Sequence, residues 1–456
     1  MTMRNTILAA VGVAVFCSCS SLYKAYDGKP DVPLGVMGNT IQTDDTVSIG
    51  AIGWREMFQD PLLQQLIERG LKNNTDLKAA QLTVEQAQND LRAVRLGDLP
   101  TLSFNPTGAL QHFNKATTYP YTVPVTATWQ LNIFGQTTSK RRQQEARMEM
   151  YHDYKQAVET SLAANIANTY YSLVLLDRKL QILEETKTVW EMSLESMRTL
   201  YEAGVYQSPA VYQMEASLAN VQAGIVEMQE SILTAEAALC LLLSEVPHHI
   251  QRSPYGTFSI PERLSVGIPV RLLSVRPDVR QAARKMEIAY YDVQQAQQAF
   301  YPNIVITADA GWGNDKGKVN PGRFIAEAIA SLTQPIFAQG KLKAKYRNAK
   351  LEQEKASVHF SQTLLNAGNE VYRYMHACMK TEQKVKYLSE RVKSLNEAYV
   401  ATQELMINGT NTYLEVLKAQ EDLLTAQLDE AENSFSGVQA FVNLYVALGG
   451  FWEKGQ

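Results

Sequence analysis

Residues 341–408 read KLKAKYRNAKLEQEKASVHFSQTLLNAGNEVYRYMHACMKTEQKVKYLSERVKSLNEAYVATQELMIN, without a proline and with one glycine, Gly368. A helix of that length would be about 100 Å long at ~1.5 Å per residue, far beyond the ~10–14 residues of an ordinary globular helix. The apolar pattern explains how it survives. Phe360, Ala367, Tyr374, Thr381, Leu388 and Leu395 recur every seventh residue. Leu364, Val371, Cys378, Val385, Val392, Tyr399 and Met406 repeat the spacing four positions later. Two such series make a coiled-coil seam, and the fold class is mostly α.

Residues 138–203 contain no Gly or Pro and carry the same seam. One series is Leu162, Thr169, Leu176, Leu183, Trp190 and Met197. The other is Ile166, Leu173, Leu180, Lys187, Leu194 and Tyr201, where Lys187 breaks the pattern. Landmarks around the two runs match. Gly204 precedes Gly409, and Gly135 precedes Gly340, by the same interval, while Pro100 and Pro302 differ from it by three. The chain is a duplication of a unit of about 205 residues, too long for a solenoid repeat. Each copy reads helix, two strands, long helix, turn, returning helix.

The expected layout is a leader over 1–18, an anchor segment over 19–59, repeat one over 60–250, a linker over 251–271 and repeat two over 272–452. Repeat one should hold strands near 101–111 and 121–134, a long helix over 138–203 and a turn over 204–209. Repeat two should hold strands near 303–312 and 324–337, a long helix over 341–408 and a turn over 409–411. Returning and pre-strand helices, laid end to end, would match one long helix in length. These lengths predict an elongated bundle with turns at one end and strands at the other.

The strands alternate. Tyr121, Val123, Val125, Ala127, Trp129, Leu131 and Ile133 share one face, and Thr122, Thr126, Thr128, Gln130 and Asn132 the other. Leu102, Phe104 and Leu110 alternate with Ser103, Asn105 and Thr107, and Ile304 and Ile306 with Asn303 and Thr307. The fourth segment alternates poorly. Segments of ~10 residues, apolar outside and polar inside, suit a lipid-facing barrel with a wet lumen. Pro106 and Pro124 sit awkwardly, since proline donates nothing to a ladder. Four strands cannot enclose a pore, and an open edge in lipid costs several kcal/mol per unpaired group. The chain must oligomerise, and three copies would supply twelve strands.

Composition excludes other classes. The net charge of −4 on 456 residues offers no basic patch for nucleic acid. Apart from the start, no stretch could cross a membrane as a helix. There, Arg4 and an apolar run from Ile7 to Phe16 precede Cys17-Ser18-Cys19. The run is too short to span a bilayer but fits a secretory signal. It resembles a lipobox in which Cys19 is acylated. Cys240 and Cys378 lie in helical patterns, where small buried hydrophobes are expected. The six histidines show no metal-ligand spacing, and no nucleophile elbow occurs. The reading is of a non-enzyme with no catalytic residue, metal site or cofactor.

Several motifs then resemble one family. They are Arg276-Pro277-Asp278-Val279, Trp129-Gln130-Leu131-Asn132-Ile133-Phe134-Gly135, Pro335-Ile336-Phe337 with Gly340, Tyr201-Glu202-Ala203-Gly204 and Ala447-Leu448-Gly449-Gly450-Phe451-Trp452. In this order, on this duplication, the chain is similar to the TolC/OprM-like outer-membrane factors, in their lipoprotein (NodT-like) branch. Asn132 stands where the family has Asp. The resemblance implies a homotrimer, with a twelve-stranded barrel on an α-helical tunnel. It implies an exit duct of a tripartite efflux pump, lipid-anchored in the outer membrane of a Gram-negative bacterium. Its partners would be membrane lipid, a periplasmic adaptor and an inner-membrane pump of the resistance-nodulation-division (RND) class. The alternative is the channel of a type I (ABC) exporter. By register, the periplasmic gate falls on Glu415, Lys418, Asn411 and Met406, and adaptor docking on the turns at Gly204 and Gly409. Ala210 takes the acid position of repeat one. Glu415 and Lys418 could pair with each other, and they read equally as a solvated helix face.

Overall fold

The computed structural model describes residues 24–28, 53–113, 116–205, 207–256, 275–314, 323–408 and 412–450. Helices α1 (Trp54–Met57), α2 (Pro61–Asn73) and α3 (Thr75–Leu96) lead to β1 (Thr101–Phe104), β2 (Thr107–Gly108), β3 (Gln111–Phe113), β4 (Ala116–Thr118) and β5 (Tyr121–Leu131). The long α4 (Gln136–Glu202) and returning α5 (Ser208–Leu242) follow. The second half comprises α6 (Pro277–Gln298), β6 (Asn303–Asn314), β7 (Arg323–Thr333), α7 (Lys341–Ile407) and α8 (Tyr413–Ala447). The duplication is exact in helix length: α3 and α6 have 22 residues, α4 and α7 have 67, α5 and α8 have 35. No helix among the described residues is long and apolar enough to cross a membrane.

The chain forms two compact units. One, built on residues 1–32, 82–153 and 280–363, carries the strands. They form an antiparallel sheet in the order β1-β5-β6-β7, with β2 also on β5 and a separate β3-β4 ladder. The two hairpins, far apart in sequence, are joined by β5 and β6 in register from Tyr121↔Asn314 to Leu131↔Ile304. Registers sort the side chains. Leu102 and Phe104, Val123 to Leu131 in alternation, Ile304 to Trp312, and Phe324, Ala326, Ala328, Ala330 and Leu332 share one face. That face is apolar except at one end, where Tyr121 pairs with Asn314. The opposite face carries Thr126 bonded to Asp309, and Thr107 bonded to Thr122 at 2.7 Å. The weak alternation of β7 is thus a run of alanines on the apolar face.

Prolines set the strand limits. The sequence reading had one strand over 101–111, but pairing breaks between β1 and β2, at Asn105-Pro106, because Pro106 lacks an N–H. Likewise β7 ends at Thr333, before Pro335, rather than at 337. Pro124 is kept within β5, opposite Gly311. A Cβ on Gly311 would lie 2.2 Å from the Val123 carbonyl oxygen and 2.7 Å from Pro124 Cα, so only glycine fits. In the same unit, α4 meets α6 through buried polar contacts. Gln298 Nε2 donates to Ser139 Oγ (2.9 Å) and Gln143 Nε2 to Asp292 Oδ1 (2.6 Å).

The second unit, built on residues 33–81, 154–279 and 364–456, is helical in its described part. Leu162, Ile166, Leu173, Leu183, Trp190, Leu194 and Met197 of the α4 seam are buried, as are Leu364, Ala367, Val371 and Cys378 of α7. Lys187, out of place in the seam, stays partly exposed and pairs with Glu191 at 3.6 Å. The returning helices end alike. Ser244 (φ 56) and Gly449 (φ 83) hold left-handed positions one repeat apart. Each closes a Schellman turn, with Glu245 N bonded to Cys240 O (2.9 Å) and Gly450 N to Tyr445 O (3.0 Å).

The Arg276-Pro277-Asp278 motif gains its reason here. A helix leaves its last carbonyls without partners. Arg276 Nη1 donates to the Ala447 carbonyl of α8 (3.0 Å), while its other nitrogens bond Asp278 (2.8 and 3.0 Å) and Glu370 (2.7 Å). Asp278 Oδ1 accepts from Val279 N at 2.9 Å. In repeat one, Asn74 does both jobs. Its Nδ2 donates to the Leu242 carbonyl of α5 (2.9 Å), and its Oδ1 accepts from Asp76 N and Leu77 N (both 3.0 Å). Leu242 and Ala447 lie one repeat apart. Two different side chains therefore fix the start of one helix to the end of another at equivalent places.

Candidate functional site at the interhelical turns

The turn after α4 is built on one glycine. Gly204 has φ 74, and its N–H bonds Tyr201 O (2.9 Å) while Val205 N bonds Leu200 O (2.9 Å). Nothing lies within 4 Å of a Cβ placed on it, so the constraint is backbone conformation alone. Gly409 and Asn411, expected in the second turn, lie outside the described residues. On either side, α7 ends with Asn408 N bonded to Glu404 O (3.1 Å), and Thr412 is the N-cap of α8.

The described candidates fall into different roles. Met406 packs against a core formed by Trp190, Leu194, Met197, Val211, Met214, Tyr413 and Leu417. Ala210 joins the same cluster. Glu415 turns back on its own helix, its Oε2 accepting from Thr412 N at 3.3 Å. A carboxylate there is also favoured by the positive end of the helix dipole. Lys418 Nζ lies 2.8 Å from Asp422 Oδ1. Glu415 and Lys418 therefore do not pair with each other: each has a nearer partner on α8. The bond to Asp422 raises the Lys418 pKa, keeping it cationic.

Sequence reasoning missed the contact that ties the two hairpins together. Tyr413, the first residue of α8, is buried and donates its hydroxyl to Met214 Sδ of α5. Burial pushes its pKa up, and Glu421 adds to this. Two turns further, Ser217 Oγ bonds Glu421 Oε1 at 3.3 Å. The signal was present in the spacing of Met406, Tyr413, Leu417 and Leu424, which carries the seam across the turn. Among the described residues no group of three or more His, Cys, Asp or Glu could hold a metal ion.

The chain, with two helical hairpins in contact and a five-stranded sheet with an apolar face, matches one protein family over residues 66–245 and 268–450, the outer membrane efflux proteins. The chain belongs to that family. It is 27% identical over 475 residues to the antibiotic efflux pump outer membrane protein ArpC of Pseudomonas putida, covering 99% of this chain and 97% of ArpC. It is 24% identical over 460 residues to the probable outer membrane lipoprotein SilC of Salmonella typhimurium, covering 98% and 99%. The open-state crystal structure of the MtrE outer membrane channel of Neisseria gonorrhoeae superposes with a TM-score of 0.83 at 25% identity, covering 94% and 97%. This outer membrane efflux protein thus shares its architecture with a channel over nearly its whole length.

Proposed function

We propose that the protein is the outer-membrane exit duct of a tripartite efflux pump. The observation that carries this reading is the sheet: one face is apolar along its length up to the terminal Tyr121–Asn314 pair, and β1 and β7 are its edges. In lipid both edges need partners, which neighbouring copies would supply. A homotrimer closes a twelve-stranded barrel, within the even-numbered range of such barrels. Small molecules would enter from a periplasmic adaptor and an inner-membrane pump of the RND class. The turn at Gly204, and its counterpart at Gly409, would dock the adaptor. Glu415, Lys418, Asn411 and Met406 would form the periplasmic gate. In this gate Met406 acts through packing, and Lys418 and Asp422 present a neutral pair in place of a ring of acids.

Lipid anchoring through Cys19, which lies outside the described residues, is supported by the segment that follows it. The Lys24 carbonyl accepts from Gln294 Nε2 and Tyr290 Oη (3.2 Å for the latter), and Tyr26 packs on Tyr290 with ring centroids 5.3 Å apart. Gln294 belongs to α6, which leads into the base of β6. The five residues from Cys19 to Lys24 reach at most about 18 Å, so an acyl chain on Cys19 would enter the membrane near the barrel's base.

The decisive experiment is planar-bilayer conductance of the purified protein, with light scattering for mass. A trimer giving small, mostly closed conductances fits a gated duct. A monomer, or a protein without conductance, would refute the proposal.

A further inference from the structure

The sheet order fixes the order of the helices beside it. Strand β5 runs on into α4, α6 leads into β6, and β7 runs on into α7. Since β5, β6 and β7 lie side by side, α4, α6 and α7 are neighbouring staves of one wall. Contacts between them agree. Gln143 of α4 bonds Asp292 of α6, and Phe300, just after α6, packs on Tyr346 of α7 with ring centroids 6.3 Å apart. The three helices share an open cleft of about 520 Å³, lined by Arg147 and Met150 of α4, Lys285 and Ile288 of α6, and Lys355 and Ala356 of α7. Ligand pockets commonly have this size. On α6 the lining stripe is Lys285, Ile288, Ala289 and Asp292. Residues 24–26 lie on Tyr290, Tyr291 and Gln294, a stripe displaced by two residues, which is about 200° round an α-helix. In the proposed duct the segment that follows Cys19 runs from the membrane along the outside of the wall, so the cleft opens on the lumen.

That side of the wall is basic. The cleft has two carboxylates, and both are engaged: Glu352 pairs with Lys355 at 2.6 Å, and Asp292 accepts from Gln143 Nε2 at 2.6 Å. Arg147 and Lys285 are exposed and, among the described residues, belong to no ion pair. More cations share these stripes toward the strands. Lys140 stands two turns before Arg147 on α4, Lys345 two turns before Glu352 on α7, and Lys341 one turn before Lys345. These three are exposed and, among the described residues, also belong to no ion pair. Between the charges the cleft floor is apolar, made by Met150, Ile288, Ala289 and Ala356.

We infer that this cleft binds organic anions with an apolar body, and that such anions are solutes of the duct. Arg147 and Lys285 hold the carboxylate or sulfonate, and the Met150, Ile288, Ala289 and Ala356 side chains take the apolar part. The occupant is an anion because the acids of the cleft already have partners and two of its cations have none. Lys140, Lys341 and Lys345 continue the same charge toward the barrel, and a passage lined by one sign of charge raises the local concentration of the opposite ion. The inference rests on the exit-duct reading and adds to it a substrate class and a resting site.

The test uses the full-length protein in planar bilayers, with two probes of matched size, naphthalenesulfonate and a naphthylmethylammonium salt. The expected result is that the sulfonate reduces the current through wild type and the ammonium salt does not. Arg147→Ser combined with Lys285→Ser should raise the half-blocking concentration of the sulfonate roughly tenfold, with trimer mass by light scattering unchanged. Arg147→Lys, which keeps the charge, should block like wild type. Equal block by both probes, or a double variant that conducts and is blocked like wild type, would overturn the anion site and leave the duct standing. A monomeric or non-conducting wild-type protein would remove the exit-duct reading and this inference together.

Discussion

Arg276 and Asn74 show how much one side chain does in an α-helical duct. Each satisfies a carbonyl at a helix end that is otherwise unpartnered. Replacing Arg276 by Ala would strand the Ala447 carbonyl and two carboxylates, at a cost of roughly 2–4 kcal/mol. Asn74→Ala would lose a cap and one bond, roughly 1–2 kcal/mol. Thermal unfolding of both variants checks the order. Tyr170 makes a pH-dependent contribution. Its hydroxyl donates to Asp60 Oδ2 (2.6 Å) and accepts from Ser253 N (2.9 Å). Burial, then the bond to Asp60, raises its pKa from 10.0 to about 12. An unfolded chain would ionise this group first. The stabilisation is therefore complete below pH 10 and is lost as pH rises through about 12. Melting temperatures measured across this window should fall more steeply for wild type than for Tyr170→Phe.

At the scale of elements, the sheet depends on one close approach. The contact of Gly311 with Val123 and Pro124 joins the strands of the two repeats. Gly311→Ala would push β6 from β5 and should abolish assembly of the proposed barrel, read as loss of the trimer mass by light scattering. Gly313→Ala, whose nearest neighbour is the Thr122 methyl at 3.0 Å, should be milder. The turn at Gly204 gives the opposite case. Its surroundings are open but its φ is positive, so Gly204→Val would strain the turn by about 1–3 kcal/mol. The expected outcome is lost efflux at normal trimer abundance. Normal efflux from a folded Gly204→Val protein would refute adaptor docking there.

At the scale of the whole molecule, the single chain leaves two kinds of surface unsatisfied. The sheet has open edges, and the outer helices have exposed apolar residues such as Tyr387 and Val226. In the proposed homotrimer, neighbouring copies would supply the partners that the sheet edges need. Anchoring adds a further expectation. Cys19→Ala should abolish incorporation of labelled palmitate and leave trimer formation intact. Labelling that persists in that variant would move the modification to another residue.

The sequence alone determined the periodic features. Two glycine- and proline-poor runs with heptad apolar spacing specify long helices, because that spacing suits only one helical face. Alternation specified most of the strands, and the common offset of glycine landmarks specified the duplication. The tertiary structure decided what depends on contacts between distant segments. It merged the two strand hairpins through β5 and β6, and placed the β7 alanines on the apolar face by register. It gave Glu415 to its own helix N-terminus and Lys418 to Asp422, and buried Tyr413 on Met214. Such partners are set by how helices pack, and no spacing along one chain segment encodes the side chain that another segment brings to it.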